Sequence, residues 1–190
     1  MYTNPRVQCQ LFSNCTYGTI YTVGGTHEDV FRGLSMRRED KYPETTSFVY
    51  FNKNPKNRIT GDCWLRAISD GLDEDYNTVL RELCDVHIKT GYDLSENKAV
   101  DTYLKSKGWV KCKQPRKDDN TKYTGREFCD WLSINYKDGE LGNLICNIGG
   151  HHMVAIKPTW HGDGFNCRYK VRDIWNSTGG CIGNYWRKAV

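Results

Sequence analysis

Apolar residues in the middle of the chain recur at helical spacing. After Cys63, the residues Trp64, Leu65, Ile68 and Leu72 mark one side of a helix. DYNTVLRELCDVHIKTG (75–91) repeats the pattern with Val79, Leu80, Leu83 and Val86, and Gly91 stops it. SENKAVDTYLKSKG (95–108) predicts a third helix, capped by Ser95, ended by Gly108 and turning Val100, Tyr103 and Leu104 inward. TGREFCDWLSINY (124–136) opens on a capping box, Thr124-x-x-Glu127, and predicts a fourth.

The period then changes. NLICNI (143–148), HHMVAIKP (151–158) and RYKVRDIW (168–175) read as strands between Gly-rich or polar turns. Ahead of residue 51, TYGTIYTV (16–23) and SFVYF (47–51) also read as strands. THEDVFRGLSMR (26–37) reads as a short helix capped by Thr26, and REDKYPETT (38–46) as a loop. The run 111–122 reads as a charged, solvated loop. Helices cluster before strands, which is the order of an α+β fold rather than an alternating one. The organisation expected is an extension or subdomain over 1–50 and one domain over 51–190.

Composition narrows the classes. A chain of 190 residues with 38% apolar and 13% aromatic content can bury a real core. A net charge of +4, from 27 basic and 23 acidic residues, is too mild for a dedicated nucleic-acid binder. No apolar run approaches the about 18 residues of a membrane span, and MYTNPRVQCQ lacks the apolar core of a secretory signal. Nine cysteines, an odd number in a chain of this length, read as reduced thiols of a cytoplasmic protein.

The candidate chemistry begins in ITGDCWLRAIS (59–69). A cysteine at a helix start feels the positive end of the helix dipole, which favours its thiolate. Asp62 before it is a good N-cap residue, though its charge opposes the thiolate. A histidine opening the strand HMVAI is rigidly held, with Val154 and Ile156 on one face and Met153 and Ala155 on the other. Asp173 in the next strand, or Asn176 just after it, can then hold that histidine through Nδ1. The rival is a metal: His151, His152, His161, Cys167 and Asp173 are ligand types in a short span. The chain has no Cys-x-x-Cys or His-x-x-x-His, and Cys9 and Cys15 stand too far apart for a zinc knuckle, so no metal or other cofactor is expected. Trp175, Tyr185 and Trp186 read equally as core or as cleft wall.

TGDCWLRAISDGL resembles the nucleophile helix of papain-like cysteine peptidases, and GGHHMVAI with YKVRDIWNSTGG resembles their His and Asn/Asp strands. Gly-Asp-Cys-x-x-Arg-Ala-Ile is also similar to the nucleophile motif of ovarian-tumour-type deubiquitinases. It is more similar still to that of small papain-like proteins of bacteriophages, which share the terminal Asp-x-Trp-x-Ser and Tyr-Trp pattern. The resemblance covers about residues 57–186. It implies a papain-like fold, with a helical part carrying the nucleophile helix packed on a C-terminal antiparallel sheet. It implies Cys63 as nucleophile, His152 as base, with His151 the alternative, and Asp173 as orienter, with Asn176 the alternative. Asn57 stands where that family places an oxyanion-binding glutamine. The activity implied is cleavage of a peptide or isopeptide bond through a thioester. The alternatives are an acyltransferase or transglutaminase-like enzyme, and an inactive binding protein or inhibitor of a host protein. The partner expected is a protein or peptide substrate, with no nucleic acid and no membrane, and the setting a cytoplasm, that of the host if the chain is phage-encoded.

Overall fold

The computed structural model describes residues 36–161 and 166–189. The expected strand over 16–23 and almost all of the expected helix over 26–37 lie outside them. From Arg37 onward the described elements form one compact unit. In chain order these are α1 (Arg38–Lys41), β1 (Phe48–Tyr50), α2 (Cys63–Gly71), α3 (Tyr76–Thr90), α4 (Asn97–Ser106), β2 (Trp109–Cys112), α5 (Gly125–Asn135), β3 (Leu144–Ile148), β4 (His152–His161), β5 (Asn166–Asp173) and β6 (Ile182–Lys188).

The fold is α+β, built on one six-stranded sheet in the order β1-β5-β4-β3-β6-β2. The sheet is mixed rather than antiparallel, because β1 runs parallel to β5. Nor is it purely C-terminal: β1 and β2 join its two edges from earlier in the chain. Helices cover both faces. Leu144, Cys146 and Ile148 of β3 pack with Val154, Ile156, Val171 and the Phe128, Cys129 and Leu132 side of α5. Ile145 points the other way, into a second core with Met153 and the inner faces of α2, α3 and α4. The alternation of β3 and β4 is thus the period-two pattern of strands buried on both sides.

Local chemistry explains most boundaries. Thr124 Oγ1 accepts from the Glu127 N–H while Glu127 Oε2 accepts from the Thr124 N–H, the reciprocal capping box. Asp75 caps α3 by accepting from the Thr78 N–H at 2.9 Å. Gly91 ends it with φ 73°, a left-handed conformation that costs glycine nothing. Ser95 does not cap α4: Glu96 takes that position and the Ser95 hydroxyl donates to Asp93. The segment 38–46 is not wholly loop, since Arg38–Lys41 make one helical turn that buries no side chain.

α2 is the central helix, buried from Leu65 to Gly71. It lies on β3 and β4 so closely that a Cβ on Gly71 would sit 2.3 Å from Ile145 Cγ1. A polar cluster lies on its buried side. Asp70, 4% exposed, accepts from Arg172 Nε at 2.7 Å and faces Lys157 at 3.7 Å, while the Arg172 guanidinium stacks 3.8 Å over Phe51. This pins the orientation of the helix whose first residue is Cys63. No helix among the described residues is long and apolar enough to cross a membrane.

Candidate active site

The register of the sheet puts one site at one end of it. His152 opens β4 and Asp173 closes the antiparallel β5. The pairing Ala155↔Arg172 sets Asp173 across from Val154, one side-chain repeat from His152 and on the same face. The N-terminus of α2 abuts this end, so Cys63 meets the imidazole.

His152 Nε2 and Asp173 Oδ2 are 2.6 Å apart. The contact is to Nε2 and not to the expected Nδ1. The diagonal separation between the two residues suits the ring nitrogen farther from the backbone, and Nδ1 is not used by Asp173. Asp173 is itself fixed: Oδ2 also accepts from the Ser177 hydroxyl at 2.8 Å, and Oδ1 from the Ile174 N–H at 2.7 Å. Asn176 is engaged elsewhere, its Oδ1 accepting from the Thr178 hydroxyl at 2.6 Å and N–H at 3.2 Å.

The electrostatics favour an ion pair. Burial works against a charged His152, but hydrogen bonds to Asp173 and Cys63 and the attraction of both overcome it, raising the imidazole from 6.5 to about 9. Burial likewise opposes the Cys63 thiolate. Hydrogen bonds from His152 and from the Met153 and Trp64 N–H groups, with the imidazolium charge, more than offset this and bring the thiol below its ordinary 9.0. By contrast Cys129 and Cys146, fully buried and with no imidazole beside them, are pushed up; the one backbone hydrogen bond from Val171 to Cys129 does not offset its burial.

Asp62 behaves differently from expectation. It occupies the N-cap position, but its side chain does not cap the helix. Its carboxylate forms a buried ion pair with Arg66, four residues on, and accepts from Tyr76 Oη at 2.5 Å and Asn54 Nδ2 at 3.1 Å. The Arg66 guanidinium offsets the charge that would otherwise oppose a thiolate next to it.

Asn57 does not line the cavities at Cys63. It is exposed in a turn at φ 51°, and its Oδ1 accepts from Asn52 Nδ2 at 3.0 Å. The donors that do face the sulfur are backbone N–H groups, that of Trp64 at the helix start and that of Met153. His151 is exposed in the turn before β4 and borders the grooves on both sides of the site.

Two residues of the Asp-x-Trp-x-Ser pattern gain a defined place from the geometry. Ser177 holds Asp173 through its hydroxyl. Trp175, 41% exposed, lies 5.2 Å from the His152 ring and shields one side of it. Trp186, in contrast, is core, its indole N–H donating to Asp101 at 2.8 Å.

Two grooves flank the pair. One of about 430 Å³ runs past His152, Trp175 and the glycines 149, 179 and 180. Another of about 290 Å³ runs past Cys63, Trp64 and Asn147.

Of the ligand types of the rival metal reading, Cys167 stands apart from the His152–Asp173 pair. It lies six residues before Asp173 on one strand, about 20 Å away at the rise of an extended chain. Among the described residues no three His, Cys, Asp or Glu side chains form a group that could hold a metal ion. The seven cysteines among them are free thiols, and Cys9 and Cys15 lie outside them. Comparison of the chain with protein-family models, curated proteins and solved structures finds no match.

Proposed function

We propose that the protein is a cysteine-dependent hydrolase that cleaves a peptide or isopeptide bond through a thioester on Cys63. The observation that carries this reading is the linked set Cys63–His152–Asp173, in which a thiol with a lowered pKa meets an imidazole raised to about 9. Neither shift serves packing, and a buried structural thiol has the opposite one.

In the proposed mechanism the Cys63 thiolate attacks the carbonyl carbon, and the oxygen takes up the electron pair of the C=O bond. Backbone N–H groups at the start of α2 hold that oxyanion. As the tetrahedral species collapses, the C–N bond breaks and the His152 imidazolium gives its proton to the leaving amine. His152, now neutral, takes a proton from water, whose oxygen attacks the thioester. The C–S bond breaks, the acid is released and the thiolate–imidazolium pair is restored. Asp173 keeps the ring oriented and stabilises its charged form, and Ser177 keeps Asp173 in place. An amine in place of water would turn the same steps into acyl transfer. The papain-like likeness is consistent with the chain order of nucleophile helix, His strand and Asp strand.

The test is turnover of a mixed library of peptide aminomethylcoumarin amides. Release by the native chain that Cys63→Ala and His152→Ala each abolish is the expected result. Release that survives Cys63→Ala would refute the proposal.

A further inference from the structure

The two grooves differ in chemistry, and the difference bears on substrate choice. The leaving amine receives its proton from His152, so it departs through the groove that His152 borders. The acyl part stays on Cys63, and of the two grooves the one that contains Cys63 and not His152 is that of about 290 Å³; a further cleft at Cys63, of about 10 Å³, has room for no more than a water. The larger volume is the small end of ligand pockets and suits one or two residues of an extended chain.

Its walls carry no Lys, Arg, Asp or Glu. They carry the carboxamides of Asn97, at the first turn of α4, and Asn147 of β3. Asn147 sits opposite Met153 in the β3–β4 ladder and shares the α2-facing side with Ile145. Neither carboxamide hydrogen-bonds another described residue, so both keep their N–H donors and carbonyl acceptors for a ligand. Trp64 supplies an aromatic wall for a methylene stem. Apart from Cys63 itself and the His151 imidazole at the border with the other groove, a charged side chain entering here meets no ionisable wall, and a purely apolar one strips water from two amides without replacing it.

We propose that this groove selects an uncharged polar side chain of the carboxamide class on the acyl side of the scissile bond, with Asn147 and Asn97 as the specificity-determining residues. The proposal rests on the hydrolase reading above and names its substrate class.

The test uses acetyl-aminoacyl chloromethyl ketones bearing Gln, Glu, Lys or Leu side chains, with Cys63 labelling followed by mass spectrometry. Each rate is divided by the iodoacetamide rate of the same protein, which removes differences in thiolate content. The Gln probe is expected to label at least about tenfold faster than the other three, the discrimination of about one well-made hydrogen bond. Asn147→Asp is expected to move the preference to Lys, and Asn97→Asp to move it the same way. Equal normalised rates for the four probes would overturn the proposal, as would an unchanged order in both variants. If iodoacetamide itself fails to single out Cys63 among the thiols, the hydrolase reading falls and this proposal with it.

Discussion

Removing the Asp173 carboxylate tests the electrostatics of the site most sharply. His152 rises from 6.5 to about 9 against its own burial. At 1.36 kcal/mol per tenfold change in protonation, that difference of 2.5 corresponds to about 3 kcal/mol favouring the imidazolium. Two groups supply it, and the hydrogen bond to Asp173 is the larger contributor, ahead of that to Cys63. Burial opposes the charge, so the two groups together supply more than this net figure; Asp173, the larger of them, is worth at least about 1.5 kcal/mol, and Asp173→Ala brings His152 down to about 8 or below. The equilibrium between the thiolate–imidazolium pair and the neutral pair falls by the same factor, about tenfold or more, and alkylation of Cys63 near neutral pH slows to the extent that the neutral pair becomes populated. The assay is an NMR titration of the histidine ring nitrogens beside iodoacetamide kinetics, in variants shown to be equally folded. Asn176→Ala, whose side chain only caps its own turn, should change neither. A His152 that still titrates near 9 without Asp173 would refute the reasoning, as would a larger effect from Asn176→Ala.

Further outcomes follow from the same structure. The raised His152 contributes folding stability that is fully present below its ordinary 6.5 and is lost as pH climbs through about 9. The Tm gap between the native chain and Asp173→Ala should therefore narrow between about pH 7 and pH 10; a gap that widens would reverse the sign of the argument. Gly71→Ala places a methyl group against Ile145 and should destabilise by about 1–3 kcal/mol despite alanine's better helix propensity, read by urea denaturation. A neutral result would mean that α2 and β3 are less closely apposed. Thr124→Ala removes half of the capping box and should cost about 1 kcal/mol by the same measurement, while leaving Cys63 reactivity alone.

How much of this was legible in the sequence varied with the kind of signal. The four longer helices were read from apolar spacing, and two of their ends from residues with one clear use, Gly91 and the Thr124–Glu127 pair. The edge strand β2 and its inner neighbour β6 were not. In β6 only Ile182 and Trp186 are buried, four apart, with Gly183 and Asn184 between them, so the alternation is lost. β2 is four residues long and merges with the charged run after it. α1 buries nothing and so has no apolar face to read. The parallel pairing of β1 with β5 joins residues about 120 positions apart, beyond any local pattern.

The site divides in the same way. A cysteine at a helix start and a histidine at a strand start are local patterns, and the structure brings Cys63, His152 and Asp173 together. Which ring nitrogen faces Asp173 depends on the β4–β5 register, and the position of Asn57 depends on a left-handed turn that its spacing from Cys63 does not encode. The Asp62–Arg66 pair had a readable spacing of four, yet its burial depends on Asn54 and Tyr76 closing over it.

The proposed chemistry stands on His152 lowering the pKa of the Cys63 thiol. Its most direct test is the iodoacetamide rate at each cysteine as a function of pH, resolved by peptide mass spectrometry. Cys63 should react far faster than Cys84, Cys112 or the exposed Cys181 at about pH 6.5, where an ordinary thiol is only about 1% ionised. That advantage should disappear in His152→Ala. A Cys63 profile that rises only above about pH 8 and is indifferent to His152 would contradict this.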